Sequence, residues 1–109
     1  MNIRGIPFDI TNWGDVPPTA HRGETSTAIW RTRQFGDIRV RLVECPPGYA
    51  ADHWCVKGHI LYCLEGELRT ELEDGRTFTL RPGMSYHVSD NAEPHRSSTA
   101  VGARLFIVD

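Results

Sequence analysis

The stretch IRVRLVEC, residues 38–45, sets the terms on which this chain can fold. Ile38, Val40 and Leu42 alternate with Arg39 and Arg41, the period-two pattern of a half-buried strand. Runs of similar length recur along the chain: TSTAIWRTRQF, HILYCLEG, LRTELE, RTFTL, MSYHV and ARLFIVD. Between them stand Gly36-Asp37, Pro46-Pro47-Gly48, Asp74-Gly75 and Pro82-Gly83, each a turn or breaker. No stretch keeps a helical period beyond about two turns. Short strands spaced this evenly predict an all-β chain, an antiparallel β-sandwich or barrel. Residues 60–65 are nearly all apolar, which predicts a strand buried on both faces.

A chain of 109 residues makes one domain around one core. Residues 1–27 are rich in Pro, Gly, Thr and Ser and read as an N-terminal arm; residues 28–109 read as the barrel domain. Ile3, Ile6, Phe8, Ile10 and Trp13 give the arm apolar anchors, so it is expected to lie along the domain or a partner subunit. A net charge of −2 gives no reason to expect nucleic acid or anionic lipid as a partner. No apolar run reaches the ~20 residues of a membrane span, and the start lacks the pattern of a signal peptide. Three cysteines, an odd number, do not make a disulfide framework, so a reducing, cytoplasmic setting is expected.

The chemistry gathers in residues 48–66. His53, Cys55 and His59 fall within seven residues, and all three can hold a transition metal. His53 and Cys55 are two apart, so on a strand their side chains would leave the same face. His59 opens the next run, and a fourth candidate, His95, waits behind the Pro94 turn. Three imidazoles and one thiolate suit Zn(II) or Fe(II), which tolerate mixed nitrogen and sulfur ligation. A lone histidine in a sheet protein is more often structural than ligating; four candidates together reverse those odds.

This pattern resembles the first motif of the cupins, in which a glycine-led turn precedes His-x-His, three or four residues, Glu, six residues and Gly. Here His53-x-Cys55, three residues, His59, six residues and Gly66 keep that spacing. Cys55 stands where the second histidine usually is, and His59 where the glutamate is. The second cupin motif resembles residues 80–84 followed by His95, without the usual proline-x-glycine before the histidine. Residues 51–55, ADHWC, resemble the small cupin subgroup named for a DHCW motif. The resemblance covers residues 36–108 and implies a single-domain jelly-roll barrel with a divalent metal held by His53, Cys55, His59 and His95. Zinc or iron heads the candidates, with nickel and manganese behind. It also implies a homodimer, with the arm covering a sheet edge of the neighbour.

Other residues carry less. His87 should face away from the cavity, and His21 is expected in solvent. Cys45, Cys63, Met84 and Phe106 read as core, although Cys63 shares strand parity with His59. Trp54 reads as packing. Arg39 and Arg41 read as solvated charge unless their face lines the barrel, where they would favour a carboxylate or phosphate. Tyr62, Tyr86 and Arg96 are weaker candidates of the same sort. No general base stands out, so no catalytic residue is named. Three readings follow: a metal-dependent enzyme of dioxygenase, isomerase or lyase type acting on a small molecule, a non-catalytic binding or sensor module, or a structural metal that pins two sheets together.

Overall fold

The computed structural model describes residues 2–109. Apart from a short 3-10 turn at Trp13–Asp15, every regular element is a strand. β1 (Thr19–Arg22), β2 (Thr27–Phe35), β3 (Ile38–Cys45), β9 (Ala103–Val108), β4 (His59–Gly66) and β7 (Ser85–Val88) lie side by side in one sheet of six strands. β6 (Thr77–Leu80), β5 (Leu68–Leu72) and β8 (His95–Ser98) form a second sheet of three. All pairings are antiparallel, and the core lies between the sheets, where Val43, Leu61, Cys63 and Leu105 of the larger meet Leu68 and Leu80 of the smaller. The expected antiparallel sandwich is what forms.

Register assigns the faces. Arg41 pairs with Ile107, Val43 with Leu105 and Cys45 with Ala103, while Leu61 pairs with both Ile107 and Tyr86. These side chains point inward, so Arg39 and Arg41 line the interior and are not the solvated pair the sequence suggested. The strand β4 also departs from expectation. Leu61 and Cys63 are buried, but Ile60, Tyr62 and Leu64 are exposed, because nothing covers the outer face of the large sheet there. Met84 is exposed too, and Phe106 lies on the outer face against Trp13, with ring centroids 6.2 Å apart.

The arm follows its own chain. β1 pairs with β2, and Arg31 donates to the carbonyls of Trp13 and Val16 at 3.2 and 2.9 Å. Arg33 donates to Thr11 Oγ1 at 2.8 Å. Of the apolar anchors, Trp13 packs, whereas Ile3, Phe8 and Ile10 are exposed. His21 is not in open solvent: it stacks on Trp30 with centroids 3.7 Å apart.

Close approach requires glycine at positions 23, 58 and 66. Gly66 has φ +76°, and a Cβ there would sit 2.0 Å from the Gly102 carbonyl oxygen. A Cβ on Gly58 would sit 2.5 Å from the Asp90 backbone nitrogen, which lets the chain turn tightly into β4.

Candidate metal centre

The segment joining β3 to β4 carries His53 and Cys55, and it is a loop, not the strand the spacing suggested. Pro46, Pro47 and Gly48 break β3, and the backbone groups of the loop are then satisfied by β8. Ala51 N–H donates to the Ser97 carbonyl at 2.9 Å. Cys55 and His95 exchange both backbone hydrogen bonds, at 2.7 and 3.0 Å. Two residues facing each other in an antiparallel bridge project side chains to the same side, so the bridge puts the thiol beside the imidazole. His59, first residue of β4, brings the third group from the opposite sheet.

Cys55 Sγ and the ring nitrogens of His59 and His95 lie within 4.8 Å of one another. The two histidines meet through Nε2 atoms 3.1 Å apart, and Tyr86 Oη is 2.8 Å from the same His59 Nε2. His95 Nδ1 lies 2.9 Å from the Glu93 carbonyl, which only accepts, so this nitrogen carries the proton and Nε2 keeps a bare lone pair. His59 Nδ1 has no hydrogen-bond partner, and the Asp109 carboxylate stands 3.8 Å from it. Without an ion the two Nε2 atoms can share one proton; with that proton moved to His59 Nδ1, toward the carboxylate, both Nε2 atoms are open to a cation. Two imidazole lone pairs then face each other beside a thiol, with one phenolic O–H to share. That donor set fits a divalent cation of the zinc or iron kind.

The electrostatics agree. Burial, then the neighbouring His95 and Arg41, push the His59 pKa down to about 4, against an opposing pull from Asp109. The imidazole is therefore neutral at physiological pH, as a metal ligand must be. Tyr86 is held well above the usual phenol range by burial and by Cys55, so it remains an O–H donor. Cys45 is pushed up to about 12 by burial, which leaves it an inert packing thiol.

His53, the fourth expected ligand, lies outside this cluster. Its side chain is exposed and its Nδ1 sits 2.6 Å from Asp52 Oδ1, while the residue lines the same cavity. The cavity has a volume of about 360 Å³ and also meets Arg39, Arg41, Tyr86 and Arg96. Tyr62 is on the outer face, and Trp54 is covered by the Arg96 guanidinium 4.3 Å above its ring.

Asp109 went unnoticed in the sequence. Its carboxylate is fully buried, gripped by Arg39 through Nε at 2.8 Å and Nη2 at 2.9 Å, and by Arg41 Nη2 at 2.9 Å. Burial alone would raise its pKa, but the Arg39 hydrogen bond and the charges of Arg41, Arg39 and Lys57 hold it below the usual carboxylate value. The alternation in ARLFIVD carries the clue: Ala103, Leu105 and Ile107 point inward, and Asp109 continues that parity.

A sequence model of the cupin domain matches residues 41–108. No curated protein sequence matches the chain. Among solved structures, a predicted oxalate decarboxylase from Thermotoga maritima is similar with a TM-score of 0.78 and 14% identity, over 92% of this chain and 96% of that one. The polyketide cyclase RemF from Streptomyces resistomycificus gives 0.75 and 22%, over 94% and 78%. Ectoine synthase from P. lautus gives 0.73 and 22%, over 93% and 76%. At these identities the likeness is one of fold.

Proposed function

We propose, since this chain belongs to the cupin family and its barrel gathers Cys55, His59 and His95 at one end, that it holds a divalent transition metal there and takes up a small molecule beside it. The observation that carries the reading is the 3.1 Å approach of the His59 and His95 Nε2 atoms within reach of a thiol. His53 would complete the set. Its Nδ1 is engaged by Asp52, which leaves Nε2 as the ligating nitrogen, the usual role of a carboxylate behind a metal-bound histidine. Zinc and iron suit these donors best.

Bound metal would supply Lewis acidity toward a carbonyl or carboxylate oxygen. The chain's own residues would hold the molecule: Tyr86 donates its O–H at the metal end, and Arg39 and Arg41 supply positive charge. A lyase, isomerase or dioxygenase reaction accords with the enzymes among the fold neighbours, which include a polyketide cyclase and an Fe(II) enzyme. A binding module without turnover is favoured by one observation: the Asp109 carboxylate is committed to two arginines and is not free as a base. Turnover separates the two.

The chain also reads as a homodimer. Ile60, Tyr62 and Leu64 leave an apolar stripe on the outer face, and Phe8 and Ile10 of the arm extend from the domain. Because β1 pairs in its own sheet and Asp9 is held by Arg33, residues 3–8 are the part of the arm available to a neighbour. Three free cysteines suit a reducing compartment such as the cytoplasm.

The test is metal analysis of protein purified without added metal, beside a Cys55→Ser/His95→Ala variant. Near-stoichiometric transition metal in the wild type and its loss in the variant are expected. A folded, metal-free wild type that takes up neither Zn(II) nor Fe(II) overturns the reading.

A further inference from the structure

We infer that the cavity selects a small monocarboxylate with an apolar body, its carboxylate toward Arg41 and its body toward Val43 and Leu105. The inference rests on reading this cavity as a ligand site. It does not require the metal.

The interior is banded from one end to the other. Along β3 the inward residues run Arg39, Arg41, Val43, Cys45, and opposite them on β9 stand Asp109, Ile107, Leu105 and Ala103. On β4, Leu61 stands level with Ile107 and so with Arg41, and His59 is the next inward residue toward the charged end. Charge therefore gathers at the Arg39 end and hydrocarbon from Val43 onward, with Arg41 between them beside Ile107 and under the Trp30 ring. A ligand that satisfies both ends must itself be amphipathic.

The charged end has more cation than anion. Arg39, Arg41 and Lys57 line the cavity, and Asp109 is the one carboxylate that answers the two arginines. Arg96 lines it as well but is matched by Glu71 at 3.5 Å. Arg41 is only 5% exposed, and its Nε has no hydrogen-bond partner. Its guanidinium lies 4.4 Å over the Trp30 ring and commits Nη2 to Asp109, which leaves Nη1 without a hydrogen-bond partner. A buried cation left in excess of its counter-charge favours an anionic acceptor such as a carboxylate. A volume of about 360 Å³ admits a ligand of modest size.

The probes are benzoate, its neutral isostere benzamide, its cationic counterpart benzylammonium, and phenyl phosphate. Each is titrated calorimetrically into chelator-treated and then metal-loaded wild type. Benzoate is expected to bind at least about tenfold tighter than benzamide in both forms, with benzylammonium weakest. An Arg41→Met variant should lose about tenfold for benzoate while benzamide is unchanged. Should that variant fail to fold, Arg39→Gln, at a partly exposed position, serves the same comparison. Equal binding of benzoate and benzamide, or no benzoate binding at all, overturns the inference. Tighter binding of phenyl phosphate overturns the choice of a carboxylate. A wild type that takes no metal yet discriminates benzoate from benzamide would sink the metal reading alone; one that takes metal without discriminating would sink this inference alone.

Discussion

His59 and His95 belong to different sheets, on β4 and β8, yet their Nε2 atoms lie 3.1 Å apart. Ion binding between them would tie the two layers of the sandwich together, and any ligand of the folded state adds to its stability. At a hundredfold excess over Kd the gain is about 2.7 kcal/mol, enough to move the melting temperature by about 10 °C in a chain of this size. Added zinc should raise the midpoint of wild type by that order and leave His95→Ala unmoved. A zinc response that survives His95→Ala would place the ion elsewhere.

The metal-free protein should weaken as acid is added, in two separate windows. His59 stays neutral when folded, down to about 4, whereas the unfolded chain takes its proton near 6.5. The unfolded state therefore binds more protons between those values, and stability falls as pH drops from 6.5 toward 4, by roughly 3 kcal/mol at most. Asp109, held below its ordinary 3.8, contributes stability above that value, which is lost as pH falls through its folded pKa. Urea midpoints at pH 7.5, 5.5 and 4.2 with chelator present would trace the first window, and His59→Asn should flatten it.

Removing the Asp109 carboxylate should be among the most damaging single changes. Asp109→Ala leaves two guanidinium groups facing each other, one of them buried, and breaking a buried pair by deleting one partner costs about 3–5 kcal/mol. Arg39→Gln should cost less, because that side chain is partly exposed and Arg41 still neutralises the carboxylate. Denaturant unfolding of the two variants should rank them in that order.

Why some of this was legible in the sequence and some was not comes down to range. Alternation in residues 38–45 and the turn residues between runs are local, and they were enough for an all-β sandwich. Cys55 and His59 were legible because they are close in the chain. His95 was reached only through the resemblance to a motif, because its partnership with Cys55 is a backbone bridge across 40 residues. The cost of reading locally appears at β4: an apolar run looks the same whether its second face meets a helix, a sheet or a subunit. Arg39 and Arg41 misled for the same reason. Alternating cations on a strand signify solvent unless a carboxylate waits inside, and Asp109 lies about 70 positions away.

Gly66→Ala should destabilise the fold by at least about 2–3 kcal/mol. The new methyl group would strike the Gly102 carbonyl at 2.0 Å, and neither that backbone nor the φ of +76° can yield without opening the β4–β9 ladder. Gly75→Ala makes the control: its φ is also positive, but nothing stands within 4 Å of the added carbon, so it should suffer only the conformational strain. Comparable losses in the two variants would mean that the close approach at Gly66 is not what constrains it.

The stripe of Ile60, Tyr62 and Leu64 gives the last test. These side chains are 50%, 41% and 38% exposed on adjacent outward positions of β4, beside Phe106 on β9. A large contiguous apolar patch on a sheet face is the kind of surface through which proteins associate. Ile60→Lys/Leu64→Lys leaves the inward residues Leu61 and Cys63 untouched, so the variant should fold with the wild-type circular dichroism spectrum. Wild type is expected to sediment as a dimer and the variant as a monomer. Truncation of residues 1–14 separates the contribution of the arm from that of the sheet: a dimer that survives truncation but not the lysine pair would place the contact on β4. A wild type that sediments as a monomer at high micromolar concentration would remove the dimer from the account and leave the stripe as exposed sheet.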